Sequence, residues 1–414
     1  MRTEKLKLGT MVIAAAFALA FTSCKKKGCT DPTATNYNDK AKKDDGTCQF
    51  ADASTYKVES TIINGVAYEK ITGTIKENIA LDATKNYLLS GGVFVDGGAV
   101  LTIPCGTMIY AADDNTIPFL SILRGSKIMA IGSESCPIVF TTIKSNPQPG
   151  DWGGIIVNGY APINNGVDPI GEGQTGTYGG SNPSDNSGVM QYVRVEYAGK
   201  QITADTELNG FSFNGVGNGT TLDHLQAFKC ADDGFEFFGG TVNMSYALSY
   251  GSGDDSFDFT FGWSGTGNYW RAVQSATEGD RGIEGDNNSS NNTATPFSNP
   301  TLSNIELIGR GSAAATSGAK FREGTKATVS NIVIEGFSKG IDIQHDQTLT
   351  NVVNGTFKLT GGTASVDVTT PLKFTANTSG ASLETDAQNS GNVLFDGSGV
   401  STITWISGTW FKNL

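Results

Sequence analysis

The chain has 414 residues, 53 of them glycine, with 17% charged residues and a formal net charge of -12. That length suits one large solenoid or two ordinary domains, and a composition rich in Gly, Asn, Thr and Ser favours short strands broken by tight turns over helices. The negative balance argues against nucleic acid, whose phosphates require a basic footprint. Cations and neutral ligands such as glycans are easier partners.

At the amino terminus, Arg2, Lys5 and Lys7 precede an apolar run from Met11 to Phe21 that is too short for a permanent transmembrane helix. The following Phe21-Thr22-Ser23-Cys24 resembles the lipobox of a bacterial lipoprotein. This resemblance implies a signal peptide over residues 1–23, acylation of Cys24, and a membrane partner reached through a lipid anchor. Residues 24–59 then read as a tether, a module bracketed by Cys29 and Cys48, and a linker. The bracketed segment resembles a small module common in secreted proteins of the Bacteroidota. It is too short to bury a core, and a disulfide would supply the missing constraint. Its Asp31, Asp39, Asp44 and Asp45 read as a solvated acidic loop, with calcium ligation as the alternative. Cys105 and Cys136 form a second candidate pair, and Cys230, in an apolar stretch, is expected free and buried.

From residue 60 to 414 strands and glycines alternate, and no amphipathic helix is predicted. Val93–Val95, Leu101–Pro104, Gly106–Tyr110, Leu120–Leu123, Ile128–Gly132 and Pro137–Thr141 follow one another in this way. Later units can be overlaid: Thr221, Thr241, Thr301 and Thr328 open them, and Asp232–Glu236, Asp254–Asp258, Asp280–Glu284, Ala319–Arg322 and Lys339–Asp342 end them. Spacing of roughly 20 to 35 residues is that of a solenoid with loops inserted at a corner. This grammar resembles that of right-handed parallel β-helices, which implies an all-β fold of that kind. Alternation then turns Phe235, Phe237, Phe257, Phe259, Ile283, Phe321, Ile341 and Ile343 inward. Trp152, Trp263 and Trp270 are assigned to core or corner packing rather than to sugar stacking.

Their neighbours face out, which places Glu236, Asp258, Glu284, Arg322 and Asp342 in one column, with Asp232, Asp233, Asp254, Asp255 and Asp280 at the preceding corner. Stacked carboxylates repel by roughly 1 kcal/mol in water and more when desolvated, so each needs a proton, a cation, a basic neighbour or outward splay. Arg322 is expected to pair with Glu284 and Asp342, leaving the upper acids uncompensated. Calcium is the candidate ion, held among Asp232, Asp233, Glu236, Asp254, Asp255, Asp258, Asp280, Glu284 and Asp286, because carboxylates with Asn and carbonyl oxygens suit a hard cation. With only His224 and His345, both read as turn or surface residues, no imidazole cluster forms. Ordinary turn capping by the corner aspartates is the structural alternative. A catalytic alternative places a carboxyl pair among Asp233, Asp254, Asp255 and Asp258, as in glycoside hydrolysis. Such pairs resemble those of pectin-degrading hydrolases and lyases, but the chain has no Gly-His-Gly and no Arg-x-Lys clamp. Gly171–Gly176 and the polar run Asp286–Asn299 read as loops.

The motifs Pro149–Ile155, Tyr192–Gly199, Cys230–Gly234, Gly253–Asp258 and Trp263–Gly265 make the chain similar to a group of β-helical lipoproteins of the Bacteroidota. The resemblance implies an outer-membrane lipoprotein facing the cell surface or the periplasm. Lys25-Lys26-Lys27 stands where surface-exported members often carry acids, which leaves the side open. The functional expectation is a binding or scaffolding lipoprotein whose partner is a glycan or an outer-membrane protein. A polysaccharide hydrolase or lyase, and an accessory subunit of an outer-membrane β-barrel, are the alternatives.

Overall fold

The computed structural model describes residues 26–30, 38–43, 46–47, 55–204 and 206–414. Two compact units divide between Ala53 and Ser54. In the first, Lys27 bridges Lys43 and Cys29 is disulfide-bonded; Cys24 and Cys48 lie outside the described residues. The second unit begins earlier than expected, because Lys57–Ile63, partly assigned to the linker, is a strand paired with Val66–Ile75. Among the described residues no helix is long and apolar enough to cross a membrane.

Among the described residues of the second unit, twenty-four strands form one continuous sheet, and every pairing in it except that first hairpin is parallel. This is the predicted parallel β-helix. Each later coil combines a short strand, such as Phe235–Phe238, with a long bent one, such as Asn243–Tyr250. The long strands turn their corner at one left-handed residue, and equivalent positions hold Tyr192, His224, Tyr246, Tyr269, Asn304 and Asn331, with φ between 52° and 57°. There His224 is stacked between Tyr192 and Tyr246, with ring centroids 4.3 and 4.4 Å away. It is thus a turn residue, but one built into an aromatic ladder.

In-register stacking carries the inward ladder. Phe211, Phe235, Phe257, Ile283, Ala319 and Ile341 form one column, and Phe213, Phe237, Phe259, Gly285, Phe321 and Ile343 its neighbour. All the residues assigned inward from the sequence are fully buried. Each large side chain contributes roughly 1.5 to 3 kcal/mol by leaving water. Trp152, Trp263 and Trp270 lie in the same core, and their indole N–H groups donate to the carbonyls of Glu196, Val242 and Met244. Cys105 and Cys136 form the second disulfide, and Cys230 is free and buried.

Four expectations need correction. Arg322 is not in the column of Glu284 and Asp342; Lys320 is. The reason is packing: a Cβ on Gly285 would lie 2.5 Å from Phe259 and 2.6 Å from Phe321, so Phe321 fills the space over that glycine and the small Ala319 covers Ile283. The unit opening at Thr241 actually begins two residues later, with Asn243 paired to Thr221, and the coil of Thr266–Val273 was not anticipated. Two short helices occur after residue 60, Asp346–Val353 and Ala381–Asn389. The first buries Leu349 and Val352 in the core, but its Thr- and Asn-rich sequence carries little helical signal. Finally, the last strand ends at Thr375. The chain then runs back outside the solenoid, where Trp410 is buried and its carbonyl accepts from Arg194 at 2.9 Å.

Because Phe237 stacks on Trp263 at 4.4 Å and faces Phe213 at 5.2 Å, Phe237→Ala is expected to cost about 3 to 5 kcal/mol. Denaturant unfolding measures this, with the fully exposed Val366→Ala as the neutral control.

Candidate functional site

The short strands of successive coils turn one residue in two outward, and in-register pairing stacks Ser212, Glu236, Asp258, Glu284, Lys320 and Asp342. At the corner before this sheet a different device operates. Asn209 Oδ1 accepts the N–H of Asp233 at 3.2 Å, Asp233 Oδ1 that of Asp255 at 2.8 Å, and Asp255 Oδ1 that of Arg281 at 2.7 Å. Each side chain therefore caps the backbone of the next coil, as the turn-capping reading proposes for corner aspartates. Asp233 and Asp255 are buried by this role, and Asp232 and Asp254, one residue earlier, are freer.

Basic residues neutralise one end of the column. Arg281 Nη1 lies 3.0 Å from Glu284, 2.6 Å from Asp280 and 3.4 Å from Asp255. Arg322 binds Glu284 at 2.7 Å and Asp286 at 2.9 Å. Asp342 takes Lys339 at 2.7 Å. The expected Arg322–Asp342 pairing is replaced by these contacts, and Arg281 supplies a cation overlooked inside the repeat itself. Asp280, Glu284 and Asp286 thus have basic partners already. Among the described residues no ion pair reaches Asp232, Asp233, Glu236, Asp254 or Asp258. Oxygens of Asp233, Glu236 and Asp258 lie within 4.8 Å of one another, and so do those of Asp232, Asp233 and Asp254, and of Asp254, Asp255 and Asp280. Asp258 Oδ1 is buried without a hydrogen-bond partner.

Two further acids were not singled out from the sequence. Glu172, on a single 3-10 turn in the loop read as such, and Glu207 both face this end of the column. Neither sits in the repeat, so stacking gave no signal for them. Burial, then Glu207, pushes the Glu172 carboxyl up to about 7 and that of Asp232 up to about 8. Burial and the neighbouring carboxylates also hold Asp233, Glu236, Asp255 and Asp258 well above the usual range. A desolvated cluster of one sign is obliged to keep protons or to take a cation.

Such a surface can bind a hard cation through oxygen alone, or hold one carboxyl protonated beside another that ionises. It offers no thiolate or imidazole set: Cys230 is buried apart with its thiol pushed up to about 12 by burial, and His345 sits at the start of the helix Asp346–Val353. The polar run after Asp286 is a corner loop, as expected, and its Asn287 and Asn288 hydrogen-bond to Asn164 of the loop over residues 159–187. Removing the cation that serves three acids at once leaves buried charge behind, so Arg281→Met is expected to destabilise the fold by roughly 3 kcal/mol. Melting curves should show a larger loss at pH 8 than at pH 5, where more of the acids are protonated.

No curated protein and no solved structure matches the chain. Residues 73–411 match the family model of the pectate-lyase-like β-helix domain. That span contains nearly the whole solenoid and every acid of the column, and the chain belongs to this family of pectate-lyase-like β-helix domains.

Proposed function

We propose that the protein is a calcium-holding β-helix of the cell envelope, anchored through Cys24 to the outer membrane, that binds a glycan along its acidic face. The observation that carries the calcium reading is the Asp233, Glu236 and Asp258 group, whose oxygens converge within 4.8 Å without a basic partner among the described residues. The donor set fits the ion: all the groups are carboxylates, and Asp258 Oδ1, buried with no hydrogen-bond partner, has its lone pairs available for coordination. Asp233, Glu236 and Asp258 would hold it, with Asp232 and Asp254 at the adjacent corner. Calcium there supplies the neutralising charge and open coordination positions for hydroxyl or carboxylate oxygens of a glycan. The lipid anchor rests on the lipobox-like segment ending at Cys24.

A second reading is polysaccharide cleavage, favoured by the family and by carboxyls that keep a proton near neutrality, Asp232 at about 8 beside the other acids. Release of reducing sugar or unsaturated product from a glycan panel, lost in both Glu236→Gln and Asp258→Asn, would establish it. Silence across the panel leaves binding.

Calcium is expected to raise the melting temperature of chelator-treated protein by several degrees, and Asp258→Asn to remove most of that shift. An unchanged melting temperature would sink the ion. The pH dependence follows from the raised carboxyls. Between the ordinary aspartate value of 3.8 and about 8 the folded state holds a proton on Asp232 that the unfolded chain has released. Stability of the calcium-free protein therefore falls as pH rises through that window. Calcium should flatten the slope, because it compensates the ionised form.

A further inference from the structure

Beside the acidic column, the loop over residues 159–187 closes a second concavity that the calcium reading does not use. Glu236 and Phe238 leave the same strand on the same outward face, two residues apart. Phe238 packs against Tyr178 of the loop, centroids 6.3 Å apart and tilted by 55°, and against Phe261, 6.2 Å away and tilted by 30°. These three rings, with Glu172, Asn165 and Ile170, line a cavity of about 180 Å³.

The cavity is built rather than incidental. The loop bridges itself at Ile170 and Thr177, and Tyr178 N–H donates to the Pro169 carbonyl at 3.1 Å. Asn164 N–H donates to the Phe261 carbonyl at 2.9 Å, which fixes the loop to the coil. Arg124 ties the far side through the Gly179 carbonyl at 2.9 Å. Tyr178 and Phe238 are buried and Phe261 is half-buried, so the rings are held in place around the cavity.

We propose that this cavity is a binding site for a methylated or quaternary ammonium group. Three aromatic rings at different tilts line one small volume, and aromatic rings attract an organic cation more than a neutral group of the same shape. Glu172 lies on the lining and Glu236 stands next to it on the sheet, and among the described residues neither has an ion pair to a basic side chain. A hydrated metal ion gains little from apolar rings, whereas methyl groups around a nitrogen bury against them and spread the charge over their surface. The site is therefore complementary to the carboxylate triad, which takes a bare hard cation through oxygen.

Glu172 faces Glu207, Asp232, Glu236 and Tyr178. Burial and Glu207 place its carboxyl at about 7, and burial keeps the Tyr178 phenol neutral up to about 12.

Choline and its neutral isostere 3,3-dimethyl-1-butanol test the proposal by calorimetric titration of the intact protein in chelator, a condition independent of the calcium reading. Saturable choline binding is expected, with the isostere about tenfold weaker or worse. Glu172→Gln and Phe261→Ala should each weaken choline about tenfold while leaving the fold melting cooperatively. Equal affinity for the two compounds would make the cavity merely apolar and overturn the assignment. Absence of choline binding, or binding unaffected by both substitutions, would also overturn it. The comparison of the two ligands needs no variant, so it stands even where a substitution disturbs folding.

Discussion

Parallel in-register pairing sets every side chain over its counterpart in the next coil, at about the 4.8 Å spacing of neighbouring strands. An apolar residue gains by this, because Phe211, Phe235 and Phe257 stack face to face at 5.0 and 5.3 Å. An acidic residue loses, since its nearest neighbour carries the same charge at the same distance. The same register that builds the core therefore loads the outer face, and each part of that face meets the load differently. At the corner the load is dispersed: Asn209, Asp233 and Asp255 each accept a backbone N–H from the coil that follows. Farther along the sheet it is cancelled by Arg281, Lys320 and Arg322. Between these regions Glu236 and Asp258 receive neither remedy in full, although Asn209 donates to Glu236.

How far the sequence reveals this depends on whether a feature repeats. The Phe and Ile columns were legible because strict alternation leaves only one inward set, and every residue assigned inward is buried. The acids were legible for the same reason. Alternation alone sets Phe321 over Ile283 and so puts Arg322 two positions out of register, whereas Gly285 makes room for that ring and Ala319 takes the smaller place. Volume complementarity between coils is a property of three strands at once, and alternation within one strand does not contain it.

Features outside the repeat were illegible for a different reason. Glu172 and Glu207 reach the column from loops, and no periodicity connects a loop residue to a strand position. Likewise the helix at Asp346–Val353 is specified by what it covers: Thr348 and Asn351 hydrogen-bond to Gly324 and Thr325, and Leu349 enters the core. Such a helix is stabilised by docking rather than by propensity. The strap that carries Trp410 reads as more strand in the sequence but lies outside the solenoid, because its partners are side chains and carbonyls on the outside of earlier coils, among them Gln226, which exchanges two hydrogen bonds with the backbone of Lys412.

The distribution of charge along the face then acquires a rationale in the loops. Where Arg281 and Arg322 reach the column, the acids are engaged in ion pairs that fix adjoining coils. Where the 159–187 loop leans over the sheet, it brings aromatic surface and another acid, Glu172, and no basic partner among the described residues. A loop selected only to stabilise the solenoid would place a lysine or arginine there, since one such residue would relieve Glu236, Asp258 and Asp232 together. Instead it deepens the deficit while shielding it from solvent, which strengthens the local field for any cation that enters. In the proposed calcium reading, the cost of these uncompensated acids is the drive for binding, and the same stacking that makes the fold stable supplies it.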